Sequence, residues 1–125
     1  MIGNVILYLV SFILFSWGTA HIVSTGNVVS DFGDLTDDHR RTITMEWIIE
    51  GVSLVFIGIL LSVVTYIDKQ SPISFAVYWM AFGVLNTLSI VSLFTGCRNK
   101  FIMFKLCPFI FTGSAILIIV TRYLV

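Results

Sequence analysis

Residues Ile43–Ile67, ITMEWIIEGVSLVFIGILLSVVTYI, form an apolar stretch that holds two carboxylates, Glu46 and Glu50, one helical turn apart. At ~1.5 Å per residue, a helix of about 20 residues crosses the ~30 Å hydrocarbon core of a bilayer, so this stretch is long enough to span it. A charged side chain inside a membrane costs several kcal/mol unless it is paired, protonated or wetted. The two carboxylates are therefore the first candidates for a functional role.

The composition places the whole chain in a bilayer. Of its 125 residues, 58% are hydrophobic and only 11% are charged, and the mean hydropathy is +1.01. Soluble domains carry about 25% charged residues. The formal net charge is zero at pH 7, so nothing indicates a nucleic-acid partner or a polybasic membrane-surface anchor.

Four apolar segments alternate with polar ones, and each must satisfy its own backbone hydrogen bonds, which in lipid requires a helix. We predict a single-domain, all-α integral membrane protein, a four-helix bundle of antiparallel up-down-up-down topology. The predicted helices cover about residues 2–23, 37–67, 73–94 and 106–124, with a polar loop at 24–36. Thr36 is the predicted N-cap of the second helix.

The basic residues predict the orientation, because cytoplasmic loops are enriched in Lys and Arg. One face of the membrane would carry Arg40, Arg41, Arg98, Lys100 and Lys105, and the other Lys69 and Arg122. We expect both termini outside, in a bacterial cytoplasmic membrane. Small residues at Gly18–Ala20 could suit a signal peptidase, but no basic residue precedes the first segment, so we expect a retained helix.

One face of the second helix collects its ionisable side chains. At about 100° per residue, the residues that lie close together on a helical wheel are His39, Ile43, Glu46, Glu50, Ile57 and Leu61, flanked by Ser53, Leu54, Gly58 and Thr65. We predict that this face points into the bundle and that Glu50 lies near mid-bilayer, ~13 Å beyond Arg41. The opposite face suits lipid and consists of Ile48, Val52, Val55, Phe56, Ile59 and Val63.

Two residues of other helices are predicted to lie at the depth of these carboxylates. His21 comes near the end of the first helix, and Asn86 lies in the third. The predicted ligand- or proton-binding residues are therefore Glu50, Glu46, His21, Asn86 and His39. Trp17 and Trp47 lie near segment ends, where tryptophan commonly anchors a helix at the interface.

Known catalytic and cofactor patterns find no support. There is no Gly-x-Ser-x-Gly, no glycine-rich phosphate loop, and no Glu-x-x-His of di-iron bundles. We expect no catalytic residue, no metal and no other cofactor, and a role other than an enzyme is favoured. The spacing of Cys97 and Cys107 matches neither a thioredoxin-type pair nor a zinc site.

Three stretches resemble the small DoxX-like membrane proteins: Trp17–His21 (WGTAH), Val29–Gly33 (VSDFG) and Met45–Gly51 (MEWIIEG). Such proteins have four helices, a polar first loop and an acidic residue early in the second helix. Where they carry a basic residue near the end of the first helix, this chain has His21. The resemblance implies a bundle that is an accessory to redox or thiol metabolism, and it transfers a role to Glu50 alone.

The sequence leaves three functions open. The first is a small-ligand-binding or accessory subunit of a membrane complex, with a carboxylate-containing pocket inside the bundle. The second is a proton- or cation-coupled small transporter acting as an oligomer. The third is a purely structural network of hydrogen bonds between helices. The expected partner is the lipid bilayer, and a homodimer or a larger complex stays open.

Overall fold

A computed structural model describes residues 1–124, apart from the side chain of Arg122. Within these residues the chain forms four α-helices and no strand. All four are long and apolar enough to cross a membrane. The predicted fold class, an all-α integral membrane protein with four helices, is confirmed. The helices are α1 (Ile2–Asp31), α2 (Asp37–Asp68), α3 (Pro72–Phe94) and α4 (Ile102–Tyr123), with a 3-10 turn at Gly96–Arg98.

Helix α1 is longer than predicted, which corrects the proposed loop at 24–36. The helix continues to Asp31, and polar residues in its last turns form hydrogen bonds within the helix itself. The hydroxyls of Ser24 and Thr25 donate to the carbonyls of Ala20 and His21 at 2.6 and 2.9 Å. Just beyond the helix end, Gly33 takes a φ of 80°, a conformation that favours glycine. Helix α4 likewise begins earlier than predicted, at residue 102 instead of 106.

Helices α2 and α3 begin at side-chain caps. The Oγ1 atom of Thr36 accepts a hydrogen bond from the backbone N–H of His39 at 3.3 Å, so the predicted N-cap is confirmed. The Oγ atom of Ser71 accepts from the backbone N–H of Ser74 at 3.1 Å, and Pro72 occupies the first turn. Proline suits that position because its missing N–H would have no partner within the helix.

The chain divides into two compact units. The α1–α2 unit is Ser11–Leu60, and the α3–α4 unit is Met1–Val10 with Leu61–Val125. The predicted carboxylates and both histidines belong to the α1–α2 unit. Asn86 and both cysteines belong to the α3–α4 unit.

Small residues set the crossing of the helices in the α1–α2 unit. A Cβ atom added to Gly18 would lie 2.5 Å from the carbonyl oxygen of Gly51, and one added to Gly58 would lie 2.7 Å from that of Ser11. The two contacts are seven residues apart on each helix. This spacing places both contacts on the same face of each helix, so the two antiparallel helices touch at both points. In lipid, small residues of this kind let two backbones approach closely and gain dispersion energy.

Buried hydroxyls join helices in the α3–α4 unit. Thr65 donates to the carbonyl of Leu61 at 2.6 Å, so the Tyr78 hydroxyl is the donor in its 3.0 Å bond to Thr65. Ser89 of α3 lies 2.6 Å from the Thr112 hydroxyl and 3.1 Å from the Pro108 carbonyl of α4. Bonds between membrane helices contribute about 0.6 kcal/mol on average and up to about 1.7 kcal/mol.

Candidate functional site

The imidazole of His21 is fully buried beside two tryptophans. Its ring stacks on that of Trp47 in α2, with centroids 4.4 Å apart and an interplanar angle of 26°. The ring of Trp17, one turn earlier in α1, meets it edge-on at 5.7 Å. Each such pair contributes about 0.5–1.5 kcal/mol beyond its buried area. An indole face also attracts cations, so the stack accommodates a neutral or a protonated imidazole.

The two ring nitrogens of His21 have different neighbours. Nδ1 lies 3.0 Å from the backbone carbonyl oxygen of Trp17. A carbonyl oxygen only accepts, so Nδ1 carries a hydrogen and donates it. Nε2 lies 3.8 Å from Oε1 of Glu50. That separation is longer than a hydrogen bond and corresponds to an ion-pair contact.

Glu50 connects this buried ring to the outside of the chain. Its side chain is 28% exposed, whereas that of His21 is 0% exposed. Two unit charges at this separation attract by about 4 kcal/mol at an effective dielectric constant of about 20. Removing each charge from water costs several kcal/mol. The attraction between the two charges therefore roughly offsets the cost of removing them from water. Loss of either side chain would leave the charge on the other without this compensation.

Glycines bring the ring and the carboxylate together. Gly51 follows Glu50 directly, and a Cβ atom there would lie 3.1 Å from the Cβ of His21 and 2.7 Å from the carbonyl oxygen of Gly18. Any larger residue would hold the two helices apart. The close backbone approach therefore sets both the stacking of His21 on Trp47 and its distance from Glu50.

The structure brings together two of the five predicted site residues, His21 and Glu50. Glu46 and His39 are exposed, which corrects the prediction that they face inward. His39 also lies about 16 Å from Glu50 along the axis of α2. Asn86 is half-buried in the α3–α4 unit, where its amide N–H donates to the carbonyl of Phe82 at 2.7 Å.

Ile57 and Leu61 of the predicted inward face of α2 are buried, as expected. The centre of the observed face is nevertheless rotated by about 60° from the centre of the predicted one, at about 100° per residue. Its centre follows two heptad rows of buried residues, so Glu50 lies at the edge of the face. The predicted lipid face is confirmed, except that Val55 is half-buried. The two rows are Trp47, Leu54 and Leu61, and Gly51, Gly58 and Thr65.

Trp47 is the site residue that sequence reasoning missed. It was expected to be an interfacial anchor, but it is 5% exposed and covers the face of His21. A signal was available in the spacing. Trp17 precedes His21 by one turn, Trp47 precedes Glu50 by one turn, and a glycine follows Trp17 and Glu50 directly.

No protein-family model, curated protein or solved structure matches this chain. The chemistry of the site therefore rests on its own atoms. An imidazole nitrogen and a carboxylate oxygen can both hold a proton, and both are ligand types that divalent cations accept. These two groups are sufficient to bind a proton.

Proposed function

We propose that this integral membrane protein binds a proton at the His21–Glu50 pair and that the bound proton controls the packing of helix α1 on helix α2. The observation that carries the proposal is the unequal environment of the two ring nitrogens of His21. Nδ1 donates to the Trp17 carbonyl, so the state of the pair depends on one further proton between Nε2 and Glu50. With that proton, either an imidazolium faces a carboxylate or a carboxylic acid faces a neutral ring.

Loss of the proton would leave two acceptors facing each other. A lone pair on Nε2 would then lie opposite the carboxylate of Glu50, and this half-buried charge would lose the imidazolium as its counter-ion. Side-chain movement or separation of the helices would relieve this repulsion. The close contact at Gly18 and Gly51 makes the packing of α1 on α2 sensitive to such a change.

The role that these features favour is a small-ligand-binding or accessory subunit of a membrane complex, with protonation controlling the packing of α1 on α2. The resemblance to DoxX-like proteins supports the same role. Two of the three stretches that carry the resemblance, Trp17–His21 and Met45–Gly51, contain both members of the pair and the two tryptophans that contact the imidazole. Membership of that family, and a place in redox or thiol metabolism, are part of this proposal.

A proton-coupled transporter acting as an oligomer is the second candidate. The 28% exposure of the Glu50 side chain favours it, because an exchangeable proton needs a way out of the buried site. Ionisable residues within membrane helices commonly mark proton relays. The two candidates share the same proton site and differ in whether the proton crosses the membrane. Proton flux into proteoliposomes separates them.

Infrared difference spectroscopy between acidic and alkaline pH tests the proton site. We expect a carboxyl band that is lost in Glu50→Gln and kept in Glu46→Gln, because Glu46 is the exposed acid one turn away. Nitrogen NMR on labelled histidine supplies a second readout. The chain has only two histidines, so His39→Gln leaves the signals of His21 alone.

The NMR signals should report a hydrogen on Nδ1 of His21 and a change at Nε2 with pH that is altered in Glu50→Gln. A purely structural network predicts a different result. In that case Glu50→Gln would lower stability while the pH-dependent spectra stayed unchanged. That outcome would overturn the proposed proton site.

A further inference from the structure

The charges of the chain are divided unevenly along its length. From Lys69 onward the sequence contains no Asp or Glu, although it contains five basic residues. Three of these, Arg98, Lys100 and Lys105, surround the turn between α3 and α4, and all three are exposed. This turn, residues 95–105, is called the basic turn below.

The basic turn has no counter-charge in its own unit. The one acidic side chain of the α3–α4 unit is Asp68, which precedes the opposite end of α3. That helix is about 35 Å long, several times the screening length at physiological salt. Among the residues that the structure describes, the salt bridge is that of His21 with Glu50, and none forms at the basic turn.

The basic turn also lies where lipid headgroups would be. It joins two helices that are long and apolar enough to cross a membrane. Four apolar residues, Phe101–Phe104, lie between Lys100 and Lys105, and Ile102 among them is 68% exposed. Cations next to exposed apolar side chains fit a ligand that has both an anionic head and acyl chains.

The N-terminus of α4 adds to the positive potential. The preceding residue, Phe101, provides no side-chain cap, and the first turn contains no acidic residue. The positive end of the helix dipole therefore faces the basic turn with no acidic side chain in the first turn beside it. An acidic residue would be stabilising there, whereas this helix has Lys105 four residues after Phe101.

We propose that the basic turn binds the phosphate headgroup of an anionic phospholipid through Arg98, Lys100 and Lys105. A juxtamembrane cation contributes a factor of about five in affinity for an anionic surface. A headgroup held at this turn would fix the α3–α4 hairpin at one face of the membrane. The proposal does not depend on the proton site of the α1–α2 unit.

Native mass spectrometry of the full-length protein tests the proposal, after reconstitution in vesicles of mixed phosphatidylcholine and phosphatidylglycerol. We expect wild type to retain phosphatidylglycerol in preference to phosphatidylcholine. In the double variant Arg98→Gln/Lys100→Gln, retention should fall by a factor of about 25. Retention equal to that of wild type would overturn the proposal.

A matched control removes the same charge elsewhere. Arg40→Gln/Arg41→Gln removes two exposed cations that have Asp37 and Asp38 within one turn. We expect this variant to retain phosphatidylglycerol as wild type does. An equal loss in both double variants would mean that net charge alone governs retention, and would contradict a site at the basic turn.

Two measurements on the wild type need no variant. Retention should fall as chloride rises, because the contact is electrostatic. Inorganic phosphate at the same ionic strength should displace no more lipid than chloride does. Stronger displacement by phosphate would indicate that the basic turn binds free phosphate instead of a lipid. Retention that does not change with chloride concentration would exclude an electrostatic contact.

Discussion

Gly18 of α1 and Gly51 of α2 are in reciprocal backbone contact: a Cβ atom on either would lie within 2.7 Å of the carbonyl oxygen of the other. The two site residues lie beside this contact, His21 one turn after Gly18 and Glu50 directly before Gly51. The closest approach of the helices is therefore also the point at which the buried imidazole meets its carboxylate.

Gly51→Ala should separate the two helices. The added methyl group would lie 2.7 Å from the Gly18 carbonyl oxygen, which is backbone and cannot rotate away. We expect a loss of about 1–3 kcal/mol in the free energy of unfolding, measured by reversible denaturation in micelles. Gly26→Ala is the control, because a Cβ atom there meets nothing within 4 Å. Equal stability of the two variants would contradict the described contact.

Trp47→Ala should remove the ring that covers His21. We expect a loss of about 3 kcal/mol, the lower end for a buried aromatic residue, because lipid solvates apolar surface in the unfolded reference state. Trp79→Ala deletes the same side chain at a position that is 44% exposed, and should cost clearly less. If the Trp79 variant were the less stable one, Trp47 would not be the buried tryptophan.

Replacing both members of the pair should be milder than replacing one. His21→Phe leaves Glu50 without its counter-ion. Removal of one partner from a fully buried pair costs about 3–5 kcal/mol, and we expect a smaller loss here because the side chain of Glu50 is 28% exposed. His21→Phe/Glu50→Leu removes both charges and should recover most of that loss. A double-mutant cycle on unfolding free energies measures the coupling. Strictly additive costs would mean that the two side chains do not interact.

Ser89→Ala should weaken the contact between α3 and α4. It deletes the hydroxyl that bonds to Pro108 and Thr112, and we expect a loss of about 0.6–1.7 kcal/mol in thermal unfolding. Thr87→Ala is the control, since that hydroxyl is exposed and bonds to the Gly83 carbonyl of its own helix. A larger loss at Thr87 would reverse the assignment of the interhelical bond.

Hydrophobicity predicted the helices well and their ends less well. The predicted bounds of α2 and α3 hold to within a residue. The apolar stretches gave α3 and the end of α2, because backbone groups in lipid must bond within a helix, whereas the Thr36 cap gave the start of α2. Helix α1 extends past its apolar stretch to Asp31. Its serine and threonine hydroxyls bond to carbonyls of the preceding turn, so these polar groups are satisfied within the helix, and hydropathy alone does not detect this.

The helical wheel identified the right helix and much of its inward face, but it extended that face too far to one side. The buried residues that it predicted there are Leu54, Ile57, Gly58, Leu61 and Thr65. Weighting that face by its ionisable residues drew it toward Glu46 and His39, both of which are exposed. The centre of the observed inward face is marked by glycine and tryptophan, at Gly51, Gly58 and Trp47. In lipid, small residues mark the contact between helices because close backbone approach, not polarity, provides the packing energy.

By itself the sequence determined that this chain is an all-α membrane protein with four helices, because backbone groups in lipid leave no other solution. It also pointed to Glu50 and His21 as candidates, because ionisable groups within apolar segments are costly. Only the tertiary structure decided that these two form a pair and that Trp47 covers the imidazole. The physical reason is that the register between two helices depends on which small residues let their backbones touch, and hydropathy carries no such information.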